Sequence, residues 1–177
     1  ALGLRNEGVR EWNYTTNLHE KGGLKDAQLR AAAQLACDAE IWDRCINTSD
    51  KTKNSLDWAQ RYPMPSLNAV ASRSQAIGLD TAFAYGIMRQ ESRFISVARS
   101  GVGATGLMQV MPATAKWTAK KIGMTDYNPS LLSDPTVNIA LGTSYLQLVL
   151  NDFDGHPAMA SAAYNAGPGN VRKWRDG

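Results

Sequence analysis

The residue with the most chemical promise is Glu91. The spacing of apolar residues predicts a helix over 81–92, on which positions 84, 87, 88 and 91 share one face. They are Ala84, Ile87, Met88 and Glu91, so a carboxyl group continues an apolar stripe. Burial disfavours the charged form of a carboxyl and moves its pKa towards the range of a general acid near neutral pH. A helix-terminal glutamate that reaches water, or pairs with Arg89 or Arg93, is the competing reading, and this helix alone leaves both open. Two later segments set polar side chains among small residues. Ser100 to Pro112 is a glycine-containing loop that ends in Gln109 and Met111. Ser161 to Gly169 places Tyr164 and Asn165 before Gly167, where they either offer polar tips to a cleft or simply precede a glycine C-cap.

Other chemistries find little support. The two histidines, His19 and His156, have no cysteine or carboxylate partners at metal-ligand spacing, so neither a metal nor a cofactor is expected. Gly101, Gly103 and Gly106 match a dinucleotide fingerprint, with Asp126 downstream. That site requires a buried strand before the glycines and a helix opening on them, whereas the next helix is expected only at Pro112. These glycines read better as places of close backbone approach. No Gly-x-Ser-x-Gly elbow and no Walker loop occur.

The elements that must position these residues are helical. The N-terminal third reads as short helices over 3–15, 24–37, 41–46 and 56–62, with a break at Gly22-Gly23, a polar connection over 47–54, and a stop at Pro63 and Pro65. Ser66 is a candidate N-cap for 67–77, and Asp80 or Thr81 for the next helix. Pro112 suits a first helical position before 113–122. The longest helix starts at Asp134-Pro135 and runs to Phe153, and a shorter one spans 158–164. Strand character is confined to Phe94–Val97 and Val110. The expected class is all-α, with a first segment over 1–65 and a second domain over 66–177.

The 177 residues are 44% hydrophobic and 20% charged, which suits a packed protein and excludes general disorder. No apolar run approaches the ~20 residues of a transmembrane helix. No signal peptide is visible, and the chain starts without Met and stops at Gly177, as expected of a fragment. Residues 1–65 hold nine basic and nine acidic side chains, whereas 66–177 hold ten and seven, so the whole +3 excess lies in the second part. That balance suits an anionic polymer but is too weak to indicate nucleic acid. Cys37 and Cys45 would stand about 12 Å apart on one continuous helix, out of bonding range. A turn at Asp38-Ala39-Glu40 would allow a bridge, and two buried free thiols are the alternative. A bridge would indicate an oxidising compartment.

Arg89-Gln90-Glu91-Ser92, Gly106-Leu107-Met108-Gln109, Asn138 to Leu146, and Ala163-Tyr164-Asn165-Ala166-Gly167 stand in an order and spacing that resemble the soluble lytic transglycosylases. The resemblance covers about residues 66–175, and four segments in register are far more specific than any one. The preceding helices are more loosely similar to the end of the family's α-superhelix. The resemblance implies a lysozyme-like domain that cleaves the β-1,4 bond between N-acetylmuramic acid and N-acetylglucosamine in peptidoglycan. It also implies Glu91 as the catalytic acid and then base, and Ser100, Gln109, Met111, Tyr164 and Asn165 along the sugar cleft. The attacking group would be the C6 hydroxyl of the muramoyl residue, giving a 1,6-anhydro sugar. Family members continue with further helices, one contributing an acidic residue to the cleft, which this chain does not reach.

Peptidoglycan strands are therefore the expected partner, with other cell-wall enzymes as further candidates. The expected location is the periplasm, peripherally at the outer membrane. Two other readings are a goose-type-lysozyme-like hydrolase of the same bond and a non-catalytic glycan-binding or scaffold module. The residue chemistry is compatible with one acid: none lies between Glu91 and Asp126, and Asp134 reads as a helix cap, whereas a two-carboxylate hydrolase needs a second acid across the sugar.

Overall fold

The computed structural model describes residues 4–18 and 23–177. The chain divides between Pro63 and Met64 into two compact units. The fold is all-α, with no β-strand among the described residues and only two isolated bridges, Arg99 with Thr105 and Thr105 with Val110. No described helix is long and apolar enough to cross a membrane.

The first unit contains α1 (Arg5–Asn17), α2 (Asp26–Asp38), α3 (Trp42–Ser49) and α4 (Trp58–Arg61). Of the expected glycine break only Gly23 is described; Gly22 and His19 lie outside the described residues. On α2, Leu29, Ala33 and Ala36 are buried at helical spacing. Glu40 takes a left-handed φ of 56°, which turns the chain sharply between α2 and α3. Cys37 and Cys45 are joined by a disulfide across that turn, their Cα atoms 4.9 Å apart.

Helix α3 runs further than its sequence suggests. The polar stretch from Asn47 was expected as a connection, yet Thr48 and Ser49 are helical and buried. Tertiary contact explains the difference: the Trp12 indole N–H donates to Thr48 Oγ1 at 2.8 Å, so a polar residue has a buried partner. The start of α4 is fixed by Asp57, whose carboxylate accepts from the Gln60 N–H at 3.1 Å.

The second unit contains α5 (Leu67–Ala76), α6 (Thr81–Glu91), α7 (Pro112–Lys121), a 3₁₀ turn (Pro129–Ser133), α8 (Pro135–Asp152), α9 (Pro157–Ala166) and α10 (Pro168–Asp176). Helix α8 is its centre. Asn138, Ile139, Leu141, Gly142, Thr143, Ser144, Leu146 and Val149 are all buried, because α5, α7, α9 and the 3₁₀ turn pack around it. The unusually apolar composition of α8 follows from being covered on several sides.

Capping sets the register of the helices. The Asp80 carboxylate accepts from the Ala82 N–H at 2.7 Å, and Asp134 accepts from Thr136 and Val137 at 2.9 and 3.0 Å. Ser66 stands at the N-cap of α5 as expected, but it is exposed, has a left-handed φ of 55°, and makes no side-chain cap bond. The expected strand at Phe94–Val97 is a turn. Phe94 has a φ of 63° and tucks its ring 5.9 Å from that of Tyr85, so core packing, not pairing, uses this apolar stretch. Helix α10 was not foreseen. Gly167 ends α9 and also precedes α10, with Pro168 at the first helical position, so one glycine re-aims the chain between two helices.

Candidate active site

Glu91 is the last residue of α6, and the stripe beneath it is buried as its spacing implies: Ala84, Ile87 and Met88 all lie in the core. Its carboxyl is half-buried. Burial raises the Glu91 pKa above its ordinary value. Among the described residues, the carboxyl pairs with neither Arg89 nor Arg93 and makes no hydrogen bond. An acid so placed holds its proton longer than an exposed one and has no protein partner competing for it.

The next residue fastens the end of α6 to the loop ahead. Ser92 Oγ donates to the Leu107 carbonyl at 2.7 Å. That loop, 106–109, is shaped by unusual backbone. Gly106 has a φ of 80° and Gln109 a φ of 46°. A Cβ on Gly106 would overlap the side chain of Asn138, so only glycine fits. Asn138, fully buried on α8, accepts from the Met108 N–H at 2.9 Å and donates to the carbonyls of Thr105 and Leu132 at 2.9 and 3.0 Å. Gly142, one turn further, leaves room for the Met108 side chain. The Gln109 amide donates to the carbonyls of Ala98 and Gly106 at 3.2 and 2.9 Å, bracing the loop from its other side.

Tyr164 reaches the same loop from α9. Its hydroxyl donates to the Met108 carbonyl at 2.8 Å. The phenol pKa is pushed far up, first by burial, then by the negative charge of Glu91 and by Tyr145. Glu91 and Tyr164 thus lie within electrostatic reach of one another, and the phenol stays neutral while its oxygen retains accepting capacity.

The other expected site residues are placed as follows. Ser100 is half-buried and accepts from the Ala104 N–H at 2.9 Å, closing the turn over 100–104. Met111 is exposed at the start of α7. Asn165 is exposed near the end of α9. No hydrogen bond joins Ser100, Met111 or Asn165 to Glu91 among the described residues. Two residues gain importance beyond their sequence reading. Asn138 holds the loop, and Tyr145 packs its ring 5.3 Å from that of Tyr164. An asparagine inside an otherwise apolar helical face was the available signal for the first.

The model of the Transglycosylase SLT domain family matches residues 68–177. The soluble lytic murein transglycosylase of Salmonella typhimurium is 37% identical over 172 residues, 97% of this chain and 26% of that protein. The Escherichia coli K12 protein of the same name is 36% identical over the same shares. Among solved structures, an inactive mutant of lytic transglycosylase Slt from Pseudomonas aeruginosa superposes with a TM-score of 0.83 at 40% identity, covering 96% of this chain and 27% of that one. The 70 kDa soluble lytic transglycosylase of Escherichia coli gives 0.82 at 34% identity, over 97% and 27%. The chain thus spans about a quarter of the length of these relatives. The second unit has their lysozyme-like all-α fold. Glu91, the loop held by Asn138, and Tyr164 all fall inside the matched segment, and the chain belongs to the Transglycosylase SLT domain family.

Proposed function

We propose that this chain is a peptidoglycan lytic transglycosylase, with Glu91 as its single catalytic carboxyl. The observation that carries the reading is the half-buried Glu91 carboxyl, raised in pKa, without an ion pair among the described residues, and within electrostatic reach of the Tyr164 phenol. Protonated Glu91 donates its proton to the glycosidic oxygen between N-acetylmuramic acid and N-acetylglucosamine as the bond from that oxygen to the anomeric carbon breaks. The carboxylate then takes the proton of the muramoyl C6 hydroxyl, whose oxygen bonds to the same carbon. One product ends in 1,6-anhydromuramic acid, the other gains a free hydroxyl, and no water is consumed.

Several other carboxylates of this unit have different engagements. Asp80 and Asp134 cap helices, and Asp152 pairs with Arg172 at 3.0 Å. A substrate-borne nucleophile fits one acid better than the two-carboxylate arrangement of hydrolases does. In this reading Tyr164 and Gln109 border the reacting sugar on the loop held by Asn138, and Ser100, Met111 and Asn165 extend the cleft. The Cys37–Cys45 disulfide supports a periplasmic setting, where peptidoglycan lies.

Mass analysis of digested murein tests the reaction, since anhydro ends are about 18 Da lighter than hydrolysed ends. Anhydro products from the wild type and their loss in Glu91→Gln are expected. Hydrolysed ends would instead indicate a lysozyme-like hydrolase, and undiminished cleavage by Glu91→Gln would remove the acid from the mechanism.

A further inference from the structure

Beyond Tyr164 and Tyr145, the aromatic row continues to a residue with no part in the scheme above. Tyr145 meets Trp117 of α7 edge-on, with ring centroids 6.2 Å apart and planes at 88°. Trp117 is 46% exposed, so much of its indole is open to solvent although its neighbour in the row is half-buried. The Lys121 ammonium lies 5.6 Å from the centre of the same ring. Helix α7 also carries Lys116 and Lys120 and has no acidic residue, and none of these lysines is in an ion pair among the described residues.

We propose that Trp117 and Lys121 form a distal substrate subsite, in which the indole stacks on a sugar ring and the ammonium faces a carboxylate of a peptide stem. The inference rests on the peptidoglycan reading above and deepens it. A saccharide ring offers flat patches of C–H groups between its hydroxyls, and indole is the side chain best suited to cover such a patch while remaining half in water. The rings of Tyr164, Tyr145 and Trp117 follow one another in contact, so the exposed indole stands two ring contacts from the tyrosine that senses the Glu91 charge. Stem-bearing peptidoglycan strands differ from uncharged glycans in the carboxylates of their peptides. A cation beside the stacking surface, with no ion pair among the described residues, selects for them. Trp117 therefore sets strand length preference, and Lys121 sets preference for stem-bearing strands.

The test compares the 177-residue wild type with W117A, W117F and K121Q. The probes are purified peptidoglycan glycan strands with their peptide stems, and the same strands stripped of stems by an amidase. Calorimetric binding, thermal denaturation and turnover on murein are measured for each. W117A is expected to weaken strand binding about tenfold and to raise KM while sparing turnover at saturation, with W117F intermediate. K121Q is expected to weaken stem-bearing strands about threefold and to leave stripped strands unaffected.

Equal affinity of wild type and W117A overturns the subsite. A loss of binding that tracks a loss of thermal stability, and that W117F fails to restore, also overturns it, because Trp117 then only packs α7. The two readings fail separately. Binding that depends on Trp117 without any cleavage refutes the enzyme and leaves the subsite, whereas cleavage with binding indifferent to Trp117 does the reverse.

Discussion

The hydroxyl of Tyr164 donates to the main-chain carbonyl of Met108 at 2.8 Å, joining the end of α9 to a loop 56 residues earlier in the chain. The same loop is tied to the end of α6 through Ser92 and Leu107. Three stretches far apart in sequence are thereby held on one backbone turn, and Tyr164 and Glu91 sense each other's charge.

Tyr164→Phe deletes this bond and keeps the ring. A stability loss of about 1 kcal/mol is expected from urea denaturation, the net worth of one hydrogen bond. Turnover on murein is expected to fall about tenfold if, as proposed, the phenol oxygen accepts from substrate. A stability loss with unchanged turnover would restrict Tyr164 to bracing the loop.

The raised pKa of Glu91 fixes the direction of two pH dependences. In the proposed mechanism cleavage requires the protonated acid, so kcat/KM should decline as pH rises through the raised value. Stability follows the same group. The unfolded carboxyl ionises at its ordinary, lower pKa, so the native state loses relative stability as pH climbs from that value to the raised one, then levels off. Glu91→Gln lacks the effect. Its melting temperature should match that of the wild type in acid and exceed it at about pH 7, while turnover falls by about 10²–10⁴. A melting difference that does not grow with pH would show that the carboxyl is not desolvated.

Asn138→Ala leaves the Met108 N–H and two carbonyls without their partner in the core, and a loss of about 2–4 kcal/mol in chemical denaturation is expected. Gly106→Ala should also be costly, from both left-handed strain and overlap with Asn138. Truncating Asn138 removes the overlap but not the strain, so the double variant should be less destabilised than the two single losses together. Simple additivity would mean that the two positions do not share this space.

Thiol titration under denaturing, non-reducing conditions is expected to find no free thiol in the oxidised chain. Cys37→Ser with Cys45→Ser opens a short covalent loop, and the first unit should lose about 2–3 kcal/mol. Cleavage by the second unit, which holds the whole proposed site, should persist at temperatures where the first remains folded.

The sequence by itself determined a good deal. Helical spacing placed Glu91 on the stripe of Ala84, Ile87 and Met88, and side-chain caps at Asp80 and Asp134 were legible because capping is a local contact between residues two or three apart. Four short segments in register pointed to the family through residues whose purposes were not apparent individually. Tertiary structure alone decided those purposes. Gly106 is required because Asn138, 32 residues on, occupies the space of its missing Cβ, and Gly142 because Met108 rests against α8. Helix α3 extends through Ser49 because Trp12 reaches Thr48. Gln109 could be named from sequence, but its bracing bonds to Ala98 and Gly106 could not. Periodicity and capping are written in neighbouring residues. Close backbone approach, burial of a polar group with its partners, and the desolvation of one carboxyl depend on which distant segments meet, and only the folded chain brings those together.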